Sequence, residues 1–325
     1  MVCYRMASAG AFVARKKSLK NRDATVTETE LDDVYSDDIS IQATDGYALA
    51  ATLYLPRGSK RHAVLISAAT AVPRGFYDGF ARYLSRQGCA VLTYDYRGVG
   101  GSRPKPSAGG KPPSLRGFEA SMTDWAARDI TGAVTWMRER YAALPLLYVG
   151  HSFGGQALGL LPNNTEVTRA LLISAQAAYW RLMAPPERYR VFLFMNYIGV
   201  PLARAAGYLP GRLMQGQDLP KGVFLEWARW VRNERYLLGD PTLAALANFA
   251  NYKAPLRALT FTDDPWGPRP AGELLCSAFT ATTPEIVSIA PTEIGVKKIG
   301  HMGFFRREHR GTLWRHAADW LGVIE

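Results

Sequence analysis

Hydrophobic and polar residues follow two different periods along this chain. Residues 38–43 and 48–55 alternate between polar and apolar and flank the dipeptide Asp45-Gly46, which is typical of a β-hairpin. Continuous apolar runs are typical of parallel strands covered on both faces. Such strands are predicted at residues 63–67, 90–94, 146–149, 169–174 and 257–261, with 295–299 as the last strand. Apolar residues at helical spacing separate these runs, so strands and helices alternate.

This alternation predicts an α/β fold with a mostly parallel sheet. It stops near Ala178, and the following residues are rich in aromatics, Arg and Pro without strand alternation. We interpret that stretch as a helical cap inserted into the fold. The predicted organisation is a basic, disordered N-terminal tail at 1–34, a first core segment at 35–178, the cap at 179–252 and a second core segment at 253–325.

The stretch Gly150-His151-Ser152-Phe153-Gly154 fits the pattern G-x-S-x-G between a predicted strand and a predicted helix. That arrangement is a nucleophile elbow, in which a serine sits on a sharp turn. The two glycines are small enough to let strand and helix approach each other. Ser152 is therefore predicted to be a nucleophile, and the free amides at the start of the helix face the place where negative charge would develop.

A serine on such an elbow works with a histidine and a carboxylate, which follow it in the order acid, then histidine. His301 comes directly after the last predicted strand and is our candidate for the general base and acid. Asp263 and Asp264 both follow the strand at 257–261. We favour Asp264 as the partner of His301 and keep Asp263 as the alternative, since one of the two would form an ordinary Asx turn before the proline.

The oxyanion of a tetrahedral intermediate needs two backbone donors. One is predicted to be the amide of Phe153, the residue after the nucleophile. The second should come from the turn after the strand at 63–67, where Thr70 is our assignment and Ala69 the alternative. The usual His-Gly pair is absent from this turn, which leaves the hydrolytic efficiency open.

With these residues identified, the sequence resembles the α/β-hydrolase superfamily, and within it the capped serine hydrolases that include monoacylglycerol-lipase-like and serine-aminopeptidase-like proteins. Residues 95–102 are similar to the D-x-R-G-x-G-x-S turn of that group, and Gly300-His301 matches as well. Residues 175–180, 208–211 and 226–230 resemble a bacterial subfamily of predicted hydrolases. The resemblance implies an eight-stranded, mostly parallel sheet with flanking helices and a helical cap. A Ser nucleophile argues against dehalogenases and epoxide hydrolases.

Charge and cysteine content exclude several classes of partner. The net charge is +11, but no basic helix face interleaved with aromatics stands out, so nucleic-acid binding is not predicted. No apolar stretch approaches the roughly 18 residues of a transmembrane helix, which predicts no stable membrane insertion. The three cysteines are widely spaced, which indicates neither a disulfide framework nor a zinc site and favours a reducing, cytoplasmic location.

The predicted function is that of a serine hydrolase that cleaves carboxylic esters of small to medium hydrophobic acids, without a metal or organic cofactor. Its partner is a small-molecule ester, and a homodimer is left open. Trp180, Trp227 and Trp230 of the cap are candidates for an apolar acyl pocket. An acyltransferase using the same triad and a non-catalytic ligand-binding homologue are the alternatives. A peptidase would need an acidic cluster in the cap, where each glutamate has an Arg nearby.

Overall fold

The computed structural model describes residues 34–105, 113–214 and 216–324, so the predicted tail at 1–34 lies outside the description except for Val34. Ten strands are assigned within these residues. They are β1 (Val34–Gln42), β2 (Ala48–Pro56), β3 (His62–Ser67), β4 (Cys89–Tyr94), β5 (Leu146–His151), β6 (Arg169–Ile173), β7 (Tyr208–Leu209), β8 (Leu219–Pro220), β9 (Leu256–Phe261) and β10 (Glu285–Ile289).

Helices connect most of these strands. The α-helices are α1 (Asp78–Arg86), α2 (Met122–Asp124), α3 (Thr131–Arg140), α4 (Phe153–Ala157), α5 (Glu187–Leu193), α6 (Val200–Ala206), α7 (Lys221–Val231), α8 (Arg269–Cys276), α9 (Gly300–Gly303) and α10 (Arg315–Leu321). Wider π-helical turns at Trp125–Ile130, Phe194–Gly199 and Arg310–Trp314 continue neighbouring helices. Short 3₁₀ helices include Arg74–Tyr77, Trp180–Leu182, Gly211–Leu213 and Pro291–Ile294.

One sheet of eight strands, in the order β1-β2-β4-β3-β5-β6-β9-β10, forms the centre of the molecule. β1 and β2 form the predicted antiparallel hairpin, and β2 is antiparallel to β4. All the remaining pairs are parallel. The α/β fold with a mostly parallel eight-stranded sheet is therefore confirmed, and β4 and β5 are buried along their whole length, as their apolar runs predict.

Parallel pairing brings the carboxyl ends of the central strands to one edge of the sheet, where α/β folds place their sites. β3 and β6 both pair with β5, and Ser67 at the end of β3 lies opposite Gly150 of β5. Ser152 follows β5, and Asp263 and Asp264 follow β9. The predicted site residues thus begin at neighbouring strand ends.

The last strand differs from the prediction. β10 is Glu285–Ile289, whereas residues 295–299 form no strand. β10 is an edge strand that is only partly buried, so its sequence shows no continuous apolar run. Residues 295–299 instead follow the helix Pro291–Ile294 and begin with Gly295 at φ 70°, a left-handed helix cap. His301 still follows this segment, but it lies in the short helix α9 and not in the predicted loop.

Residues between β6 and β9 are mainly helical, with α5, α6, α7 and the small hairpin of β7 and β8. We call residues 179–252 the insertion; its separation from the core as a domain stays a prediction. Several aromatic residues of the insertion are buried, among them Phe224 and Tyr236. In the described parts of the chain, no helix is both long enough and apolar enough to cross a membrane.

Candidate active site

Ser152 occupies the sharp turn between β5 and α4. Its backbone has φ 50° and ψ −114°, a conformation that non-glycine residues seldom adopt and that costs about 1–3 kcal/mol. The Ser152 amide donates a hydrogen bond to the Ile173 carbonyl of the neighbouring strand at 2.9 Å, which helps to hold the turn. The residue is 9% exposed. The backbone therefore fixes where the hydroxyl stands.

Gly150 and Gly154 make this turn sterically feasible. A Cβ at Gly150 would lie 2.5 Å from the Cα of Gly155, and a Cβ at Gly154 would overlap the carbonyl of Ser67. Each added Cβ would be far closer to these atoms than van der Waals contact allows, so neither position accepts a side chain without movement of the backbone. Close approach of strand and helix thus explains both glycines of the sequence motif.

A chain of two hydrogen bonds joins Ser152, His301 and Asp264. His301 Nε2 lies 3.0 Å from Ser152 Oγ, and His301 Nδ1 lies 2.8 Å from Asp264 Oδ2. A carboxylate only accepts, so Nδ1 carries the proton and Nε2 keeps the lone pair that accepts from the serine hydroxyl. The imidazole is thereby held in the tautomer that can remove a proton from Ser152.

Asp264 is kept in its ionised form by its surroundings. The residue is 2% exposed, and Oδ1 accepts hydrogen bonds from the amides of Trp266 at 2.9 Å and Gly267 at 3.2 Å. Burial alone favours the neutral acid, but the electrostatic interaction with His301, the hydrogen bond from its Nδ1 and the two amide donors together hold the pKa of Asp264 below its ordinary value. The carboxylate is therefore charged and pre-oriented toward the imidazole.

Asp263 has a different role from its neighbour. Its two carboxylate oxygens accept the amides of Ile299 at 2.8 Å and Gly300 at 2.9 Å. It thus ties the loop after β9 to the backbone just before His301. The geometry pairs Asp264, the favoured candidate, with His301, and it makes Asp263 an anchor of the start of α9.

His151 belongs to a second, neutral hydrogen-bond chain. Its Nε2 lies 2.9 Å from the carbonyl of His301, which can only accept, so Nε2 carries the proton and Nδ1 accepts from the Tyr77 hydroxyl at 2.9 Å. Tyr77 Oη in turn accepts the amide of Ala69 at 2.8 Å. Burial lowers the pKa of His151 to about 3, and the nearby charge of His301 acts in the same direction. The hydrogen-bond chain links the turn after β3, the elbow and α9.

The turn after β3 separates the two candidates for the second oxyanion donor. The Ala69 amide is already bonded to Tyr77, whereas Thr70 is partly exposed and precedes Ala71, whose φ is 62°. We therefore keep Thr70 as the candidate. Phe153, the other predicted donor, is the first residue of α4, and its buried ring packs against Tyr96.

The three tryptophans assigned to the acyl pocket lie in different environments. Trp227 is nearly buried and contacts Trp266, whose ring centre is 6.0 Å from that of His301. Trp180 is partly exposed and lies against Phe192, with ring centres 4.5 Å apart. Trp230 is 1% exposed and donates its indole N–H to Asp240 at 2.7 Å. Trp230 is thus part of the insertion's interior, and we leave it out of the proposed pocket.

Trp266 and Tyr77 belong to none of the motifs that mark the site in the sequence. Trp266 spans the site, because its amide binds Asp264, its ring lies over His301 and its indole N–H donates to Glu187 at 3.0 Å. Its position two residues after Asp264 is the signal that could have drawn attention to it. Tyr77 lies in a helical turn far from the motifs in sequence, so only the fold brings it to His151.

Metal-ligating side chains are scattered in the described parts of the chain, where no group of three or more His, Cys, Asp or Glu is placed to hold a metal ion. Cys89 and Cys276 are buried and unpaired with each other. Burial raises the pKa of each thiol to about 12, so neither is a reactive thiolate at neutral pH. Neither thiol therefore competes with Ser152 as a candidate nucleophile.

Comparison with known proteins agrees with this architecture. The family model for the alpha/beta hydrolase family matches residues 63–310. An esterase of Pyrococcus furiosus has a similar structure, with a TM-score of 0.57 and 16% identity over 93% of this chain and 96% of that one. An esterase domain from Rhodothermus marinus has a TM-score of 0.54 and 18% sequence identity over 88% of this chain and 97% of that one.

An esterase of Exiguobacterium antarcticum gives a TM-score of 0.53 and 14% identity over 87% of this chain and 98% of that one. At these identities the structural likeness establishes the fold alone. No curated protein matches the chain in sequence. The family model, in contrast, covers well over half of the chain, including the elbow, the acid loop and the histidine. The chain therefore belongs to the alpha/beta hydrolase family.

Proposed function

We propose that the protein is a serine hydrolase that cleaves carboxylic esters of small to medium hydrophobic acids. The observation that carries the proposal is the pair of hydrogen bonds from Ser152 through His301 to Asp264, at 3.0 and 2.8 Å. A hydroxyl, an imidazole and a carboxylate joined by hydrogen bonds in this order are what acyl transfer by a serine requires, which supports the proposal. The strained backbone of Ser152 and the ionised Asp264 support the same roles.

In the proposed reaction, Ser152 Oγ attacks the ester carbonyl while its proton passes to His301 Nε2. Asp264 stabilises the imidazolium, and the amides of Phe153 and Thr70 bind the oxyanion. Collapse breaks the bond to the alkoxide, which leaves as the alcohol with the proton from His301. Water then gives its proton to His301 and attacks the acyl-enzyme, and the second collapse releases the acid and returns the proton to Ser152.

The surroundings of the site support an apolar acyl group. The ring of Trp266 lies near His301, that of Phe76 lies near His151, and Trp227 packs against Trp266. Such side chains favour hydrocarbon over charged substrates. Of the three glutamates of the insertion, which a peptidase could use to bind an amino terminus, two have partners within the protein. Glu187 binds Trp266 and Arg190, and Glu226 binds Thr123. Ester hydrolysis is therefore favoured over peptide hydrolysis.

Labelling with a fluorophosphonate probe tests the nucleophile. We expect covalent attachment at Ser152 in the wild type, none in Ser152→Ala and a greatly slowed reaction in His301→Ala, followed by mapping of the labelled peptide. His316→Ala serves as the matched control, because His316 is exposed on α10. Wild-type protein that stays unlabelled at Ser152 with small and large probes alike would overturn the proposal.

A panel of p-nitrophenyl esters of increasing acyl length then measures the substrate class. We expect turnover by the wild type to fall by about 10⁴-fold or more in Ser152→Ala. Addition of a small alcohol during turnover separates hydrolysis from acyl transfer. If transesterified ester forms faster than free acid at low alcohol concentration, the enzyme is an acyltransferase and the hydrolytic assignment is wrong.

A further inference from the structure

The helical segment of residues 187–199 in the insertion is apolar on two faces. Its inner face is buried at Val191 and Met195. Its outer face carries Tyr189, Leu193 and Tyr197, spaced by four residues and each more than half exposed. Residues at this spacing share one side of a helix. We call Tyr189, Leu193, Tyr197 and the adjacent exposed Ile198 the outer stripe.

An apolar stripe of this kind in water is unusual for a protein that functions alone in solution. Monomeric proteins seldom leave neighbouring large apolar side chains exposed, and such surfaces commonly mark a contact with another molecule. The stripe contains two tyrosines, and Tyr197 is 68% exposed. Aromatic residues with a polar tip are typical of the boundary between water and lipid.

The charge around the stripe selects the kind of partner. Residues 179–214 contain five Arg and one acid, Glu187, which gives a net charge of +4. Glu187 is engaged by Trp266 and Arg190. Arg181 and Arg204 are exposed on the elements that pack against this helical segment, and among the described residues neither forms an ion pair with a carboxylate.

We propose that the outer stripe docks the protein on an anionic lipid surface. Apolar side chains would enter the boundary between headgroups and acyl chains while the surrounding arginines meet the negative headgroups. This contact is peripheral and requires no transmembrane helix. The segment also begins at Glu187, which is hydrogen-bonded to the Trp266 that lies over His301. The helical segment that carries the outer stripe thus also contacts a residue beside the candidate active site.

Co-sedimentation of the full chain with vesicles tests the proposal. Vesicles of phosphatidylcholine alone are compared with vesicles that also contain phosphatidylglycerol. We expect binding to the anionic vesicles that weakens as salt is added, and a loss of about fivefold in affinity for each of Arg181→Gln and Arg204→Gln. Tyr197→Ser should weaken binding severalfold because it removes an aromatic anchor.

Tyr35→Ser provides the matched control, because Tyr35 is 64% exposed on β1 and lies outside the insertion. It should bind vesicles like the wild type, as should Ser152→Ala, which makes the result independent of the proposed hydrolysis. The proposal fails if the wild type does not bind anionic vesicles. It also fails if Tyr197→Ser binds as well as Tyr35→Ser, because that result is expected when the basic N-terminal residues alone attract lipid. It also fails if light scattering without lipid shows a dimer that Tyr197→Ser dissociates, since the stripe would then be covered by a second copy.

Discussion

The surroundings of Ser152 and the outer stripe of the insertion differ in how their side chains are held. Around Ser152, each functional side chain has a defined partner, and two hydrogen-bond chains fix the loops after β3, β5 and β9 relative to one another. On the outer stripe, Tyr189, Leu193 and Tyr197 are each more than half exposed to water. The hydrogen bonds around Ser152 hold each side chain in one position relative to its partners. The outer stripe has no such fixed partners, which suits contact with a lipid surface of no fixed shape.

This difference teaches where substitutions should matter and how. Near Ser152 a change of one hydrogen-bonding atom alters chemistry, because donors and acceptors are buried and cannot find replacement partners. On the stripe only apolar area and charge count, so conservative exchanges are tolerated. Substitutions around Ser152 test the hydrogen-bonded region, and the vesicle experiment tests the outer stripe.

The sharpest test exchanges each of two adjacent carboxylates for an amide. Asp264→Asn would present its amide to His301 Nδ1 and favour the wrong tautomer, so we expect kcat for ester hydrolysis to fall by roughly 10⁴-fold. Asp263→Asn should lower the melting temperature and reduce kcat far less, because Asp263 holds the backbone amides of Ile299 and Gly300. Equal losses in the two variants would remove the distinction between acid and anchor.

The buried His151 should make stability depend on pH. Its pKa is about 3 in the folded protein and 6.5 for an ordinary histidine, so between these values the unfolded chain binds one more proton. The free energy of unfolding should therefore fall as the pH drops below about 6.5, by up to about 1.4 kcal/mol per pH unit and at most about 5 kcal/mol.

Urea unfolding at a series of pH values measures this slope. His151→Asn should flatten the dependence on pH relative to the wild type, whatever its effect on stability at neutral pH. His316→Asn, at an exposed position, should leave the slope as it is in the wild type. A wild-type slope that persists in His151→Asn would show that other groups cause it.

Two tryptophans of one helix test where the pocket begins. Trp230→Phe removes the donor to Asp240 from the interior of the insertion, so we expect a loss of about 2–3 kcal/mol in stability and an unchanged preference for acyl length. Trp227→Phe should cost less stability and shift the preferred acyl length, because Trp227 contacts Trp266 beside His301. Chemical denaturation and the ester panel measure both. A shifted acyl preference in Trp230→Phe alone would reverse the assignment.

Tyr77→Phe tests whether the neutral chain positions the site. The loss of one hydroxyl leaves the Ala69 amide and His151 Nδ1 without their partner, at a cost of about 1–2 kcal/mol. We expect a severalfold fall in kcat with KM unchanged, because alignment and not binding is affected. Tyr54→Phe is the control, since the Tyr54 hydroxyl binds Asp78 on α1. If kcat responds equally in both variants, Tyr77 has only a structural role.

The nucleophile elbow could be predicted because its chemistry restricts the backbone. Ser152 adopts an unusual φ, and Gly150 and Gly154 have no space for a Cβ. These backbone requirements restrict the residue types, so the sequence motif reveals the elbow. Asp263 and Asp264 carry identical groups, and only their partners in three dimensions distinguish them. The sequence could therefore narrow the acid to two candidates but could not prove the choice.

Other features were hidden because burial is a tertiary property. β10 lies at the sheet edge and is half exposed, so it shows no apolar run, and the strand was assigned to residues 295–299 instead. Trp227 and Trp230 are three residues apart on α7, and their sequence spacing does not say which faces the site. Likewise, the inner face and the outer stripe of residues 187–199 are both apolar, so the hydrophobic pattern of the sequence does not indicate which of them is exposed.

The left-handed φ of Ser152 also bears on how this protein can evolve. Glycine adopts that conformation freely, so a glycine at position 152 would relieve the backbone strain that serine maintains. A library screened for heat tolerance alone should accumulate glycine there and lose the hydroxyl with it. Retention of serine at this turn therefore reports selection for turnover acting against selection for thermal endurance.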